Sequence, residues 1–106
     1  MSSDRIAFKM KILPGKQREY RNRHDEIWPE LSDELREAGV RDYTIFLDSE
    51  TNTLFASYEL SPENNLEALP EKEIMKKWWK HMADIMEVNS DNSPVVTPLS
   101  QVFYHA

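Results

Sequence analysis

The chain has no cysteine and only two glycines, Gly15 and Gly39. The first absence excludes disulfides, thiolate nucleophiles and cysteine-ligated zinc or iron–sulfur centres, and is compatible with a reducing, cytoplasmic setting. The second leaves no glycine-rich phosphate loop and no dinucleotide-binding fingerprint. A basic surface is missing too. The formal net charge is −6, whereas a nucleic-acid binder needs cationic groups to displace counterions from phosphates. No apolar run reaches the ~18–20 residues of a membrane span, so no membrane association is expected. The opening MSSDRIAFKMK has neither the apolar stretch nor the small-residue cleavage pattern of a secretion signal, and none is expected.

What remains is the balance of a soluble globular protein, 40% hydrophobic and 30% charged over 106 residues. That length predicts one domain, residues 1–106, with a single core. The basic residues Lys16, Arg18, Arg21 and Arg23 are interleaved with Glu19 and followed by Asp25 and Glu26. Such mixed runs read as a solvated helix face.

Hydrophobic periodicity orders the elements. RIAFKMKIL alternates Ile6, Phe8, Met10 and Ile12 against Ala7, Lys9 and Lys11, the period of a strand, and Pro14-Gly15 ends it. Helical spacing runs from Lys16 to about Asp25. Pro29 cannot donate a backbone hydrogen bond and biases Trp28 away from helical angles, so the helix breaks there. Pro29 is suited to start a second helix with Leu31, Leu35 and Ala38 as its apolar stripe, and Gly39 supplies a left-handed cap. DYTIFLD and LFASYEL are strands joined by the polar turn SETNT.

Ser61-Pro62 predicts a short helix over Glu63 to Leu69, and a longer one follows from Lys72 to Met86 with Ile74, Trp78, Met82 and Ile85 on one side. EVNSDNSPVVTP is a loop, and LSQVFYHA is a final strand. The order β-α-β-β-α-β predicts an α+β, ferredoxin-like arrangement with helices on one face of an antiparallel sheet. Apolar residues on both strand faces, Tyr43, Ile45 and Leu47 against Phe46, and Phe55 against Leu54 and Ala56, predict a homodimer packed sheet to sheet.

Tyr20, His24 and Trp28 recur at four-residue spacing and would share one face of a continuous helix. Histidine titrates near neutral pH and suits proton transfer; tyrosine and tryptophan combine apolar rings with polar handles. The Trp78-Trp79 pair either plugs the core or lays an indole over an apolar sugar or ring face, its N–H donating to a hydroxyl. Tyr43 opens a strand and either packs or projects into the same cleft. His81 is expected to face solvent, and His105 to lie in a frayed end or at a sheet edge. The histidines are too scattered for a metal site, and no serine-hydrolase nucleophile motif occurs. Metal-free acid–base work on a small neutral molecule is the chemistry these groups suggest.

The segments YRNRHDEIWPEL, DYTIFLD, KKWWKHMADIM, DNSPV and QVFYH resemble, in order and spacing and essentially from end to end, the L-rhamnose mutarotase family. The resemblance implies a ferredoxin-like dimeric α/β barrel that interconverts the α and β anomers of L-rhamnose with no metal and no cofactor. It implies His24 as catalytic residue and Tyr20, Tyr43, Trp78 and Trp79 as sugar-binding residues. Asp25-Glu26 stands where a member of the family has Asn-Pro, and a carboxylate there favours protonated His24. On this reading His24 protonates the ring oxygen and takes the proton back on closure, while Tyr20 or Tyr43 positions hydroxyls or relays the second proton. The competing expectations are a mutarotase for another 6-deoxyhexose or aldose, a monooxygenase on the same dimeric fold, and a sugar-binding module without turnover.

Overall fold

The alternation in RIAFKMKIL becomes strand β1, Asp4–Lys11, at the centre of the sheet. The structure, a computed structural model, describes residues 4–106. Strands β2 (Val40–Asp48), β3 (Thr53–Leu60) and β4 (Thr97–Pro98) join β1 in the order β2-β3-β1-β4. Every pairing is antiparallel. Helices α1 (Gln17–Asp25), α2 (Pro29–Glu37) and α3 (Glu73–Met82) complete the α+β, ferredoxin-like arrangement. No helix among the described residues is long and apolar enough to cross a membrane.

Register decides which side chains meet the helices. Met10 faces Leu54, Phe8 faces Ala56, and Ile45 and Leu47 face the same two β3 residues from the other side. This set points inward, where Met10, Leu54 and Ala56 form one buried cluster with Leu31 of α2 and with Trp78, Met82 and Ile85. The opposite face carries Phe46 directly across from Phe55. Phe46 is 70% exposed and Phe55 41%, so the two-faced sheet expected from the sequence is present.

The helix break follows its cause. The backbone turns out of α1 through Glu26 N–H to Asn22 and Ile27 N–H to His24 carbonyls, Trp28 becomes extended, and Pro29 opens α2. At the other end of α2, Gly39 has φ +97°. A side chain there would also meet Asn64 Cβ and Ser61 Oγ at 2.7 Å, so glycine is required twice over.

Three expected elements differ. The helix over Glu63 to Leu69 is instead a 3₁₀ segment, Leu66–Glu71. The N–H groups of Ser61 and Asn65 donate to the Gly39 and Ala38 carbonyls, and the Asn64 carboxamide bonds Ser61 O and Leu66 N–H. Those competing bonds replace the helical ladder. The second long helix stops at Met82 rather than Met86. Beyond it Leu13 N–H donates to Ile85 O, Glu87 N–H donates to Lys11 O, and Met86 pairs with Ile12, so this segment continues the sheet instead.

The last strand over LSQVFYHA does not form. Pairing with β1 ends after Thr97–Pro98 and one bond from Leu99 N–H to Ala7 O. Both β4 residues are exposed, and Val102, Phe103 and Tyr104 beyond them stand in solvent, so among the described residues nothing outside the tail packs against it to hold it as a strand.

Candidate active site

Helix α1 presents Tyr20 and His24 one turn apart on its inner face. Their rings stack with centroids 4.2 Å apart and planes inclined by 25°. His24 Nδ1 lies 3.1 Å from the Tyr20 carbonyl oxygen. A carbonyl can only accept, so Nδ1 carries the hydrogen and Nε2 of the neutral ring is left as a lone-pair acceptor. From α3, Trp78 meets the imidazole edge-on at 5.4 Å. From β2, Tyr43 leans on Tyr58 at 5.3 Å. Strand β2 carries a bulge between Arg41 and Thr44, with Asp42 at φ 51°. There Arg5 holds the Asp42 carboxylate at 2.9 Å.

All five sequence candidates, Tyr20, His24, Tyr43, Trp78 and Trp79, line one cleft of about 1260 Å³ between the sheet and the helices. They also line its smaller recess of about 90 Å³. Trp28 does not line either space. The break before Pro29 takes it off the Tyr20–His24 face, and it packs edge-on against Trp78 at 5.1 Å and against His81 at 5.2 Å. It supports the cleft wall from behind. His81 is exposed, as expected. His105, in the exposed tail, lies beside Phe103.

The electrostatics separate the groups. Burial pushes His24 below its ordinary pKa of 6.5, against the opposing pull of the Tyr20 carbonyl and the charge of Asp25. The carboxylate after the histidine therefore acts in the direction expected from sequence, but desolvation outweighs it. Burial raises the phenols of Tyr20 and Tyr43, and each is raised further by a neighbouring tyrosine. Tyr43 as a whole residue is 40% exposed and lines both the cleft and its recess. Both phenols remain protonated at neutral pH and serve as hydrogen-bond donors and acceptors.

Sequence reasoning missed several supporting residues. Arg23 anchors α1 to the end of α3, with Nη1 2.7 Å and Nη2 3.2 Å from the Asp84 carboxylate and a further bond to the His81 carbonyl. Its position inside a mixed charge run concealed this. Methionines 10, 75, 82 and 86 line the recess beside the aromatic residues, and flexible thioethers fill irregular apolar space. Asn92 and Pro94, from the loop after α3, line it too. Among the described residues no group of three histidine, aspartate or glutamate side chains is gathered closely enough to hold a metal ion.

Comparisons with known proteins converge on one family. The family model described as L-rhamnose mutarotase matches residues 5–105. An L-rhamnose mutarotase of Brucella anthropi is 57% identical over 104 residues, covering 98% of each chain. The crystal structure of an L-rhamnose mutarotase from Formosa agariphila superposes with a TM-score of 0.91 at 53% identity, covering 98% of this chain and 100% of that one. A putative antibiotic biosynthesis monooxygenase from Nitrosomonas europaea has a TM-score of 0.61 at 11% identity, over 93% and 89% of the two chains. That last likeness concerns the fold alone.

Proposed function

The chain belongs to the L-rhamnose mutarotase family, and from that premise we propose how its cleft interconverts the α and β anomers of L-rhamnose. One observation carries the reading: a desolvated histidine, fixed through Nδ1, shares a recess with two phenols and two indoles. Neutral His24 takes the proton of the anomeric hydroxyl on Nε2. Electrons from that O–H bond form the C1 carbonyl, the bond from C1 to the ring oxygen breaks, and its electrons pass to the ring oxygen. The imidazolium returns its proton to that oxygen, giving the open aldehyde. Both oxygens are attached to C1, so one Nε2 serves both without a large movement.

Rotation about C1–C2 followed by the reverse steps delivers the other anomer. General acid–base catalysis of this kind supplies about 10²–10⁴-fold, which is fitting for a reaction that already proceeds in water. Tyr20 and Tyr43 hold hydroxyls; their raised pKa values suit them to positioning rather than to proton relay. Trp78 and Trp79 face the apolar side of the sugar and its methyl group.

The same reading assigns the whole reaction to one domain, residues 1–106, working without metal or cofactor in the cytoplasm. The donor set in the recess, one imidazole with phenols and indoles, is suited to proton transfer and not to holding a metal. The outward Phe46–Phe55 pair and the exposed Val102, Phe103 and Tyr104 support a homodimer; sedimentation equilibrium showing a monomer at micromolar concentration would oppose it. Magnetization transfer between the anomeric protons of L-rhamnose tests the reaction. Protein pre-treated with a chelator should accelerate exchange as well as untreated protein does. Unchanged exchange with wild-type protein would sink the assignment.

A further inference from the structure

Asn92 occupies the loop between α3 and β4 with φ 71°. Left-handed backbone is uncommon outside glycine, and asparagine is among the residues that tolerate it. The loop is knit around it. The Asp91 carboxylate accepts hydrogen bonds from the backbone N–H and the hydroxyl of Ser93. The Asn89 amide donates to the Ser93 hydroxyl and to the Pro94 carbonyl, and Asn92 N–H donates to Asn89 O at 2.9 Å. The polar side chains of Asp91, Ser93 and Asn89 are all engaged in holding this turn, whereas the Asn92 carboxamide takes no part in that network.

Asn92 also lines the small recess that contains Tyr20, His24 and Tyr43. It is the only carboxamide there; apart from the tyrosines, histidine and tryptophans, the remaining lining is methionine, aliphatic or proline. A carboxamide offers two donors and an acceptor in one plane, the complement of neighbouring sugar hydroxyls. A turn alone would be served equally well by glycine. We propose that Asn92 is a substrate-binding residue that sets sugar selectivity, its carboxamide hydrogen-bonding ring hydroxyls of the aldose held in the recess. This rests on the mutarotase reading of the same recess.

Two variants separate the amide from the turn. Asn92→Gly keeps the left-handed backbone and deletes the amide, while Asn92→Asp keeps the acceptor and removes the donors. Anomer exchange measured against L-rhamnose concentration should show KM raised about tenfold in Asn92→Gly, the loss expected when a hydrogen bond to a sugar hydroxyl disappears. The value of kcat should stay within about twofold, and Asn92→Asp should lie between the two proteins. Selectivity against L-fucose, which differs from L-rhamnose in hydroxyl configuration, should narrow in both variants.

Circular dichroism and the thermal midpoint identify any variant that has lost its fold, and Asn92→Asp then carries the test. Wild-type KM and selectivity in Asn92→Gly would overturn the proposal, as would a fall in kcat at constant KM. If wild-type protein fails to accelerate exchange, tryptophan fluorescence titration with L-rhamnose still decides this point. Weaker binding in Asn92→Gly supports it, and equal binding refutes it.

Discussion

The two faces of the one sheet are built from the same strands and are put to opposite uses. Inward, Met10, Leu54 and Ala56 are buried under the helices and give way toward α1 to a cleft walled by Tyr20, His24, Tyr43 and the Trp78-Trp79 pair. Outward, Phe46 and Phe55 stand opposite each other beside Lys9, with Arg5 bridging Asp42, Glu59 and Ser57 nearby. The inner face lowers the pKa of its histidine by withholding water. The outer face keeps its charges solvated, where ion pairs contribute little. The proposed chemistry needs the desolvated side, and the proposed self-association fits the side whose aromatic residues are still exposed.

Variants on each side should break this contrast unequally. His24→Ala should reduce the protein's acceleration of anomer exchange by about 10²–10⁴-fold, with circular dichroism unchanged. Leu54, 1% exposed, is a core residue of β3; Leu54→Ala should cost about 2–5 kcal/mol in urea unfolding, a cavity effect. Gly39→Ala, which forces a side chain into left-handed backbone and against Asn64 and Ser61, should cost about 1–3 kcal/mol. Phe46→Lys on the outer face should change chemical stability of the monomer by no more than about 0.5 kcal/mol. It should nevertheless shift sedimentation toward monomer, and an unchanged dimer would remove that face from the interface.

The legible parts of the fold were those where a local rule and the tertiary structure agree. Alternation placed β1, Pro29 placed the break, and Gly39 marked the left-handed cap. Four-residue spacing was enough to pair Tyr20 with His24, because both lie in the same unbroken helix. It overreached at Trp28, one residue before the proline, where the same spacing no longer describes a helix. The segment after Ser61-Pro62 carried a good helix start, but its backbone donors were claimed by Ala38 and Gly39, residues distant in sequence.

Tyr43 and Trp79 could not be assigned to the cleft by periodicity. Strand register and the packing of α3 bring them there, and the family resemblance supplied what spacing could not. Asn92 gave no periodic signal, since it lies in a loop whose shape depends on its neighbours' side chains. The tail from Leu99 has a strand-like composition, but its pairing with β1 ends at one bond from Leu99 N–H to Ala7 O, and its apolar residues stand exposed.

In the proposed reaction His24 enters as a neutral, desolvated base. Its folded pKa lies below the ordinary 6.5, so the neutral form persists until the pH falls through that depressed value, and activity should be lost only there. Folding should weaken over the same acidic window, starting below the ordinary value, because the unfolded chain binds the proton more readily. The direct measurement follows the His24 imidazole by NMR across pH and records L-rhamnose anomer exchange on the same samples. A neutral-base role for His24 predicts one shared midpoint below 6.5, with exchange slowing on the acid side. A midpoint above that value, or a rate that falls on the alkaline side while His24 becomes neutral, would contradict it.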